Sequence, residues 1–568
     1  MSTQTAHAAT AKENAAVTSA SGIGVRGVWH RPNDTGTETN LAGLRAVLDT
    51  FRKTGINLVF LETFYHGMTV FRASTVPYNT GLDANDYSPY PDYLTAFVAE
   101  ARERGIEVHA WVEDFYVGVT DNYFTRFLPE WMMLTRDGSI RQSEGRESGG
   151  YLFLDPANPE VRQYLVRFYD ELLTAVPGLA GLNLDYIRYP LSGKTDDTGY
   201  TETAMNGFAV LAGITFPEGA THEQKAQAVA ARYTDWVNYR AAQVTAFVGE
   251  VFDMVRERHP EALLSTAVFP EQGKSFEDKK QDFSTWLSRG YLDILTPMAY
   301  YDDTATLKRA LGAMLPDLAD CFCYAGISAT YHNLPDARVL EQMAATREAG
   351  ADGYVFFGSK SILGNEQYIR LLSNATNGGN LRLTLPHAGV GALAATTASV
   401  VTEKLRQAGE EESRISALTA ELTKLCQTQD RDAEQLSAAK KQLRLLVKYN
   451  LASYLSDAGV HAVHDDLETL YRYLTVKEER ALKRHASSTD DGDDDDGNGD
   501  SADGGTAPTP TDPDRTAETG GTAEALRAFG IAAGATAAVA LGVTAVTRHV
   551  TKKRKKIAEG AIGRTPLR

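Results

Sequence analysis

Between residue 23 and about residue 375 the chain alternates short apolar runs with longer amphipathic stretches. The runs are Val25-Arg-Gly-Val-Trp29, Asn57-Leu-Val-Phe-Leu61, Glu107-Val-His-Ala-Trp-Val112, Gly181-Leu-Asn-Leu184, Leu263-Leu-Ser-Thr-Ala-Val268, Asp293-Ile-Leu-Thr-Pro297, Phe322-Cys-Tyr-Ala-Gly326 and Gly353-Tyr-Val-Phe-Phe357. Near-continuous apolar runs of this length predict strands covered on both faces, as in a parallel sheet. Between them, 41–53, 93–104, 159–174, 230–258 and 336–349 carry helical periodicity. Several end in a glycine that caps the helix before the next strand, as at Gly55, Gly105 and Gly350. Eight such units predict a closed (β/α)8 barrel over residues 23–375 rather than an open doubly wound sheet. No glycine-rich phosphate loop follows any strand, which argues against a nucleotide-binding fold.

The pattern changes after the barrel. Residues 376–395 are a Gly/Ala-rich linker. In 396–486 the charges are dense, and Ile415, Leu418, Leu422 and Leu425, then Leu436, Leu443 and Leu446, recur at helical spacing. That spacing predicts a coiled coil or helical hairpin, serving as a stalk or self-association element. Residues 487–521 hold ten Asp, one Glu and one Arg, a net charge of −10, and predict a disordered acidic linker. Residues 522–548 are expected to form a transmembrane helix around the uncharged stretch 528–547. The basic tail 549–568, with Lys552-Lys-Arg-Lys-Lys556, places its end in the cytoplasm and the barrel outside the cell. Residues 1–22 are expected to be disordered. An exported barrel needs a signal, and Ala6-His-Ala8 looks like the surroundings of a cleavage site, so a start upstream of Met1 is expected.

Charge and cysteine content exclude more than they assign. The overall net charge of −17 comes mostly from the acidic linker, and no basic groove points to nucleic acid. The cysteines, Cys321, Cys323 and Cys426, have no metal-ligand spacing, and neither metal nor cofactor is expected.

The C-terminal ends of the strands, where α/β barrels build their sites, are rich in carboxylates and aromatics and poor in cations. Strand four delivers Asn183 and Asp185 on one face, with Arg188 beyond. Strand three presents His109, Trp111 and Glu113 with one parity, and strand six Met298, Tyr300 and Asp302. His30, Glu62 and Tyr65 close strands one and two, and Glu271 follows strand five. Carboxylates and amides suit hydroxyl groups and aromatic rings suit sugar faces, so a neutral polyhydroxylated ligand is expected. Paired carboxylates are also the machinery of glycoside hydrolysis. Asp185, Glu113 and Glu271 are therefore the candidate catalytic groups. His30, Glu62, Tyr65, His109, Trp111, Asn183, Arg188, Tyr300 and Asp302 are the candidate substrate contacts. Glu62 is equally open to a role as buried partner of Arg26 or Arg31, and His30 and His109 to scaffold roles.

Five motifs in order, Arg26-Gly-Val-Trp29, His109-Ala-Trp111, Leu154-Asp-Pro-Ala-Asn-Pro159, Asn183-Leu-Asp-Tyr-Ile-Arg-Tyr-Pro190 and Pro297-Met-Ala-Tyr300, give a chain that resembles the bacterial glycosyl-hydrolase-like family 10 proteins over residues 23–375. The resemblance implies a barrel glycosidase in which Asp185 is central, acting on bacterial envelope glycans, peptidoglycan strands among them. Strand four also looks distantly like the chitinase strand, whose proton donor would fall at Ile187. Isoleucine cannot donate, so the donor must come from another strand, and Glu113 is the first choice. The expectation is a surface-anchored glycosidase cleaving an envelope polysaccharide. The alternative is an inactive glycan-binding surface protein.

Overall fold

The computed structural model describes residues 22–489, apart from 83–84, 192–195, 316–317, 319, 329–331, 333, 377 and 381. The expected N-terminal disorder, acidic linker, transmembrane helix and basic tail therefore lie outside the described residues, save for the edges of the first two. Among the described residues no helix is long and apolar enough to cross a membrane.

Eight parallel strands close into a barrel: β1 (Val25–His30), β2 (Leu58–Tyr65), β3 (Glu107–Val112), β4 (Gly181–Leu184), β5 (Leu263–Val268), β6 (Ile294–Pro297), β7 (Phe322–Ile327) and β8 (Gly353–Phe357). Each pairs with the next, and β8 returns to β1 with Val25 opposite Gly353 and Trp29 opposite Phe357. The order matches the eight apolar runs. A two-residue antiparallel strand, Met68–Thr69, extends the end of β2. Around the barrel stand α1 (Leu41–Lys53), α2 (Tyr93–Glu103), α3 (Pro159–Ala175), α4 (Tyr233–Arg258), α5 (Phe283–Ser288), α6 (Thr304–Met314), α7 (Asp336–Glu348) and α8 (Glu366–Ala375). After α1 and α2, Gly55 and Gly105 take φ values of +77° and +67°, the left-handed turn that sends each helix back into a strand.

Strand alternation sorts the core into two layers. Val28, Val59, Leu61, Val108, Ala110 and Val112 face the helices. Val25, Trp29, Leu58, Phe60, Trp111, Ile294, Phe322, Tyr324 and Val355 share the interior cluster. The runs are apolar throughout because both faces are covered.

The region expected to be a stalk is something else. Four helices, α9 (Val390–Gln407), α10 (Glu412–Lys424), α11 (Ala433–Leu445) and α12 (Asp457–Thr489), fold onto the N-terminal floor of the barrel. Ile415, Leu418, Leu422, Leu425, Leu436, Leu443 and Leu446 are all buried in the same cluster as the barrel interior. The spacing that resembles a coiled-coil seam is a set of amphipathic stripes consumed within the chain. Polar ties reinforce the contact: Arg472 with Asp352 before β8, Arg480 with Asp293 before β6, and Arg431 with the carbonyl of Pro260 at 2.8 Å. This helical region is a cap.

Candidate active site

The site rests on a polar layer inside the upper barrel. The indole of Trp29 on β1 donates to Oδ1 of Asn183 on β4 at 3.0 Å. The Asn183 amide then donates to Ser265 Oγ on β5 at 2.8 Å and to Thr296 Oγ1 on β6 at 3.2 Å. Four strands are tied through one fully buried side chain. Asn183, expected to touch substrate, is thus committed one layer below the mouth, and it fixes the level at which the next inward residue, Asp185, emerges.

Asp185 follows β4. Its Oδ1 accepts the backbone N–H of Tyr186 at 2.7 Å and its Oδ2 accepts the indole N–H of Trp111 at 3.0 Å. Glu113 follows β3 with Trp111's parity, and its Oε2 accepts the backbone N–H of His66 at 3.2 Å. Both amide donors belong to non-glycine residues in the left-handed region, Tyr186 at φ 48° and His66 at φ 50°. Such a conformation costs a residue with a side chain on the order of 1 kcal/mol. Glu62 on β2 completes the group, held in two-point contact by Arg31, whose Nε and guanidinium nitrogen donate at 2.6 and 2.8 Å. Of the two arginines considered for Glu62, Arg31 is the one that pairs. The same guanidinium lies over Tyr65 at 4.7 Å and Trp111 at 5.7 Å.

Burial raises the proton affinity of all three carboxyls. Glu62 is pushed up to about 7 even against Arg31. Asp185 rises as well, restrained by the Tyr186 amide, the charge of Arg188 and the Trp111 indole. Glu113 rises well above the usual carboxylate range, because the charges of Glu62 and Asp185 add to burial against weaker help from Arg31 and the His66 amide. Two neighbouring acids are thereby differentiated: Glu113 holds its proton best, while Asp185 has the donors that stabilise an anion. The His66 imidazole, lowered to about 4 by burial and by Arg31, is neutral.

Aromatic rings line the approach. Tyr65 stacks on His66 with centroids 3.8 Å apart, and Tyr116 stacks on Tyr186 at 4.5 Å. On the opposite side Tyr300 stacks on Phe357 at 5.0 Å and meets Trp29 edge-on at 6.3 Å. Arg188 does not reach toward the centre; it pairs with Glu144 at 2.8 Å and lies over Tyr186 at 4.6 Å. Lys279 binds the same carboxylate at 3.2 Å. Glu144, drawn down to about 2 mainly by Arg188 against its burial, locks the β3–α3 loop to the end of β4.

Four candidates fall elsewhere. His30 has the outward parity and is buried between barrel and helices, bonded to Ser359 at 2.7 Å and Glu38 at 3.1 Å and stacked on Phe97. His109 has the inward parity but sits low, toward the floor, bonded to Glu107 at 2.9 Å. Parity alone does not give height along the barrel axis. Glu271 is exposed at the rim and accepts from Tyr301 at 2.9 Å. Asp302 is also exposed. Beyond Pro297 two tight turns, Ala299 N–H to the Pro297 carbonyl and Tyr301 N–H to the Ala299 carbonyl, both at 2.9 Å, end the alternation that would have carried Asp302 inward. Tyr186, Tyr116, His66 and Phe357 are not singled out by the sequence; each lies within three residues of a strand end or of a mouth carboxylate, the one signal that marks them. Ile187 is fully buried against the helices, away from the mouth.

The chain is 22% identical over 292 residues to Glycosyl hydrolase DigH of Escherichia coli strain K12, a match covering 46% of this chain and 58% of that protein, so it spans little more than half the length of that relative. Among solved structures it is similar to a beta-galactosidase of Bacillus circulans sp. alkalophilus (13% identity, TM-score 0.44, 63% of this chain and 56% of that one). It is also similar to the catalytic domain of a beta-amylase of Paenibacillus polymyxa (13% identity, TM-score 0.40, 61% and 98%). The family profile named Glycosyl hydrolase-like 10 matches residues 24–314, which run from β1 through α6 and include every member of the carboxylate cluster, and on that match the chain belongs to the glycosyl hydrolase-like 10 family.

Proposed function

We propose that this protein is a glycoside hydrolase in which Glu113 is the proton donor and Asp185 the nucleophile or electrostatic stabiliser. The observation that carries the reading is the pair itself: two buried carboxyls at the barrel mouth, one with its proton held firmly and one with two hydrogen-bond donors, separated in role by Trp111, Arg31 and Glu62. Glycosidic cleavage needs such a division, one acid protonating the leaving oxygen and one anion meeting the positive charge at the anomeric carbon. Stacked tyrosines and tryptophans around the pair suit the faces of sugar rings. For a substrate with an N-acetyl group, that group supplies the nucleophile and Asp185 orients it.

The proposed substrate is an extracellular envelope polysaccharide, with peptidoglycan glycan strands as the first to test. Supporting this is the uncharged stretch 528–547 followed by Lys552–Lys556, read as an anchor with the barrel outside the cell. Full-length protein, wild type and Asp185→Asn, is incubated with glycan strands stripped of peptides and with other bacterial polysaccharides, and new reducing ends are counted. Cleavage by wild type alone supports the enzyme. Tight binding by both without cleavage replaces it with a glycan-binding surface protein. Deleting 523–568 should release the protein from membranes, and continued attachment removes the anchor.

A further inference from the structure

At the opposite end of the barrel from the carboxylates, three side chains from two parts of the chain meet. Glu107 and His109 stand at the start of β3, and His387 lies in the connection between α8 and α9. Oε1 of Glu107 is 2.9 Å from Nε2 of His109 and 2.7 Å from Nε2 of His387. All three donor atoms lie within 4.8 Å of one another. His387 is oriented from behind, its Nδ1 2.5 Å from the Tyr324 hydroxyl on β7. Its carbonyl accepts from Lys477 of α12 at 3.2 Å, so the cap holds it in place. His109 is completely buried, His387 nearly so, and the Glu107 side chain is 28% exposed.

We infer that Glu107, His109 and His387 form a binding site for a first-row divalent transition metal, with Zn2+ as the reference ion, which staples the helical cap to the barrel floor. Two imidazoles and one carboxylate are a borderline donor set that favours such ions over Mg2+ or Ca2+. Three protein ligands leave a fourth position for water. Ligand bonds of about 2.0–2.2 Å in a tetrahedron set donors roughly 3.4 Å apart, so the Glu107 oxygen, at 2.9 and 2.7 Å from the two imidazole nitrogens, would withdraw by about 0.6 Å. Its partial exposure leaves room for that movement.

The protons balance without net release from the rings. With no metal, each Nε2 carries hydrogen and donates to Glu107. On binding, each ring shifts its hydrogen to Nδ1 and presents a bare Nε2. Tyr324 can serve either state, donating to Nδ1 before and accepting from it afterwards, which is the orienting role expected of a residue behind a ligating imidazole. Nδ1 of His109 has no hydrogen-bond partner among the described residues, so nothing there pins the ring in one tautomer.

The test uses the full-length protein stripped with chelator. Equilibrium dialysis against Zn2+ should load one ion per chain that is absent from His387→Gln and from Glu107→Gln, both of which keep the buried His109 in place. Co2+ loading should give the intense visible absorption of a four-coordinate site in wild type and not in these variants. Zinc should raise the thermal midpoint of wild type and leave that of His387→Gln unmoved. Tyr324→Phe should weaken zinc about tenfold without abolishing it. Equal zinc uptake by wild type and the Glu107→Gln/His387→Gln double variant, or no uptake by wild type, overturns the site. Because none of these residues touches the barrel mouth, glycan cleavage can fail while the metal site stands, and the reverse.

Discussion

The indole of Trp111 and the carboxylate of Asp185 are joined by a 3.0 Å hydrogen bond across adjacent strands, β3 and β4. Trp111 also lies beneath the Arg31 guanidinium, which pairs with Glu62. One side chain therefore touches both the anion proposed to act on the sugar and the ion pair that biases its neighbour.

Removing that bond should be felt in the pH profile. Trp111→Phe takes away a donor that stabilises ionised Asp185, at a cost of about 1–3 kcal/mol for a bond to a charged group. Activity rises with pH as Asp185 ionises, so the acid limb should move to higher pH and kcat should fall roughly tenfold. An unmoved acid limb in an active variant would take Asp185 out of the titrating pair.

The basic limb belongs to Glu113. As the donor it must be protonated, so activity should fall as pH rises through its elevated value, and Glu113→Gln should lose that limb along with about 10²–10⁴ in rate. Aryl glycosides whose phenol leaves without protonation should restore much of the first step in Glu113→Gln and none of it in Asp185→Asn. Rescue in the reverse order would exchange the two roles.

The same residue should cost stability. Glu113 binds its proton more tightly folded than unfolded, so below the ordinary glutamate value both states are protonated and nothing is lost. As pH climbs from there toward the folded value, the unfolded chain releases a proton that the folded chain keeps, and stability drops. Glu113→Gln should therefore melt higher than wild type at neutral pH and at the same temperature near pH 4. A lower midpoint at neutral pH contradicts the raised affinity.

Arg31 holds Glu62 against burial. Breaking a buried pair commonly costs 3–5 kcal/mol, and the 40% exposure of the Arg31 side chain trims this to about 2 kcal/mol for Arg31→Met. The loss should be greatest above pH 7, where Glu62 would otherwise be charged, and should shrink at pH 5. Adding Glu62→Gln to Arg31→Met should recover most of it in urea denaturation, and failure to recover it would mean the arginine acts through packing.

Leu418 lies in the core shared by cap and barrel. Leu418→Ala should cost about 3 kcal/mol. Calorimetry should show one transition that includes the barrel, and two separate transitions would make the cap an independent unit.

Much of the fold is legible in the chain because both faces of every barrel strand are covered, which leaves a run of apolar residues that no surface strand would show. Asp185 and Glu113 are legible for the same reason, as charges placed where such a run stops. Parity alone does not give height along the barrel axis: His109 and Glu113 share a parity, but His109 lies near the start of β3 and Glu113 just past its C-terminal end. His30 misleads because Trp29 and not the histidine faces inward. The cap misleads because leucines at helical spacing look alike whether they meet a second chain or their own barrel floor. Arg188 is read toward the substrate when Glu144, 44 residues earlier in a loop without periodicity, claims it.

Ile23 and Val25 are buried among the leucines of the cap, and Gly24 donates its amide to the carbonyl of Thr384 at 2.9 Å. The first strand is thus finished only by segments made more than 350 residues later, from Thr384 through the last described helix. On the ribosome the apolar β1 must wait for β8 to emerge before the barrel can close, and it stays uncovered below until the cap that follows β8 is released as well.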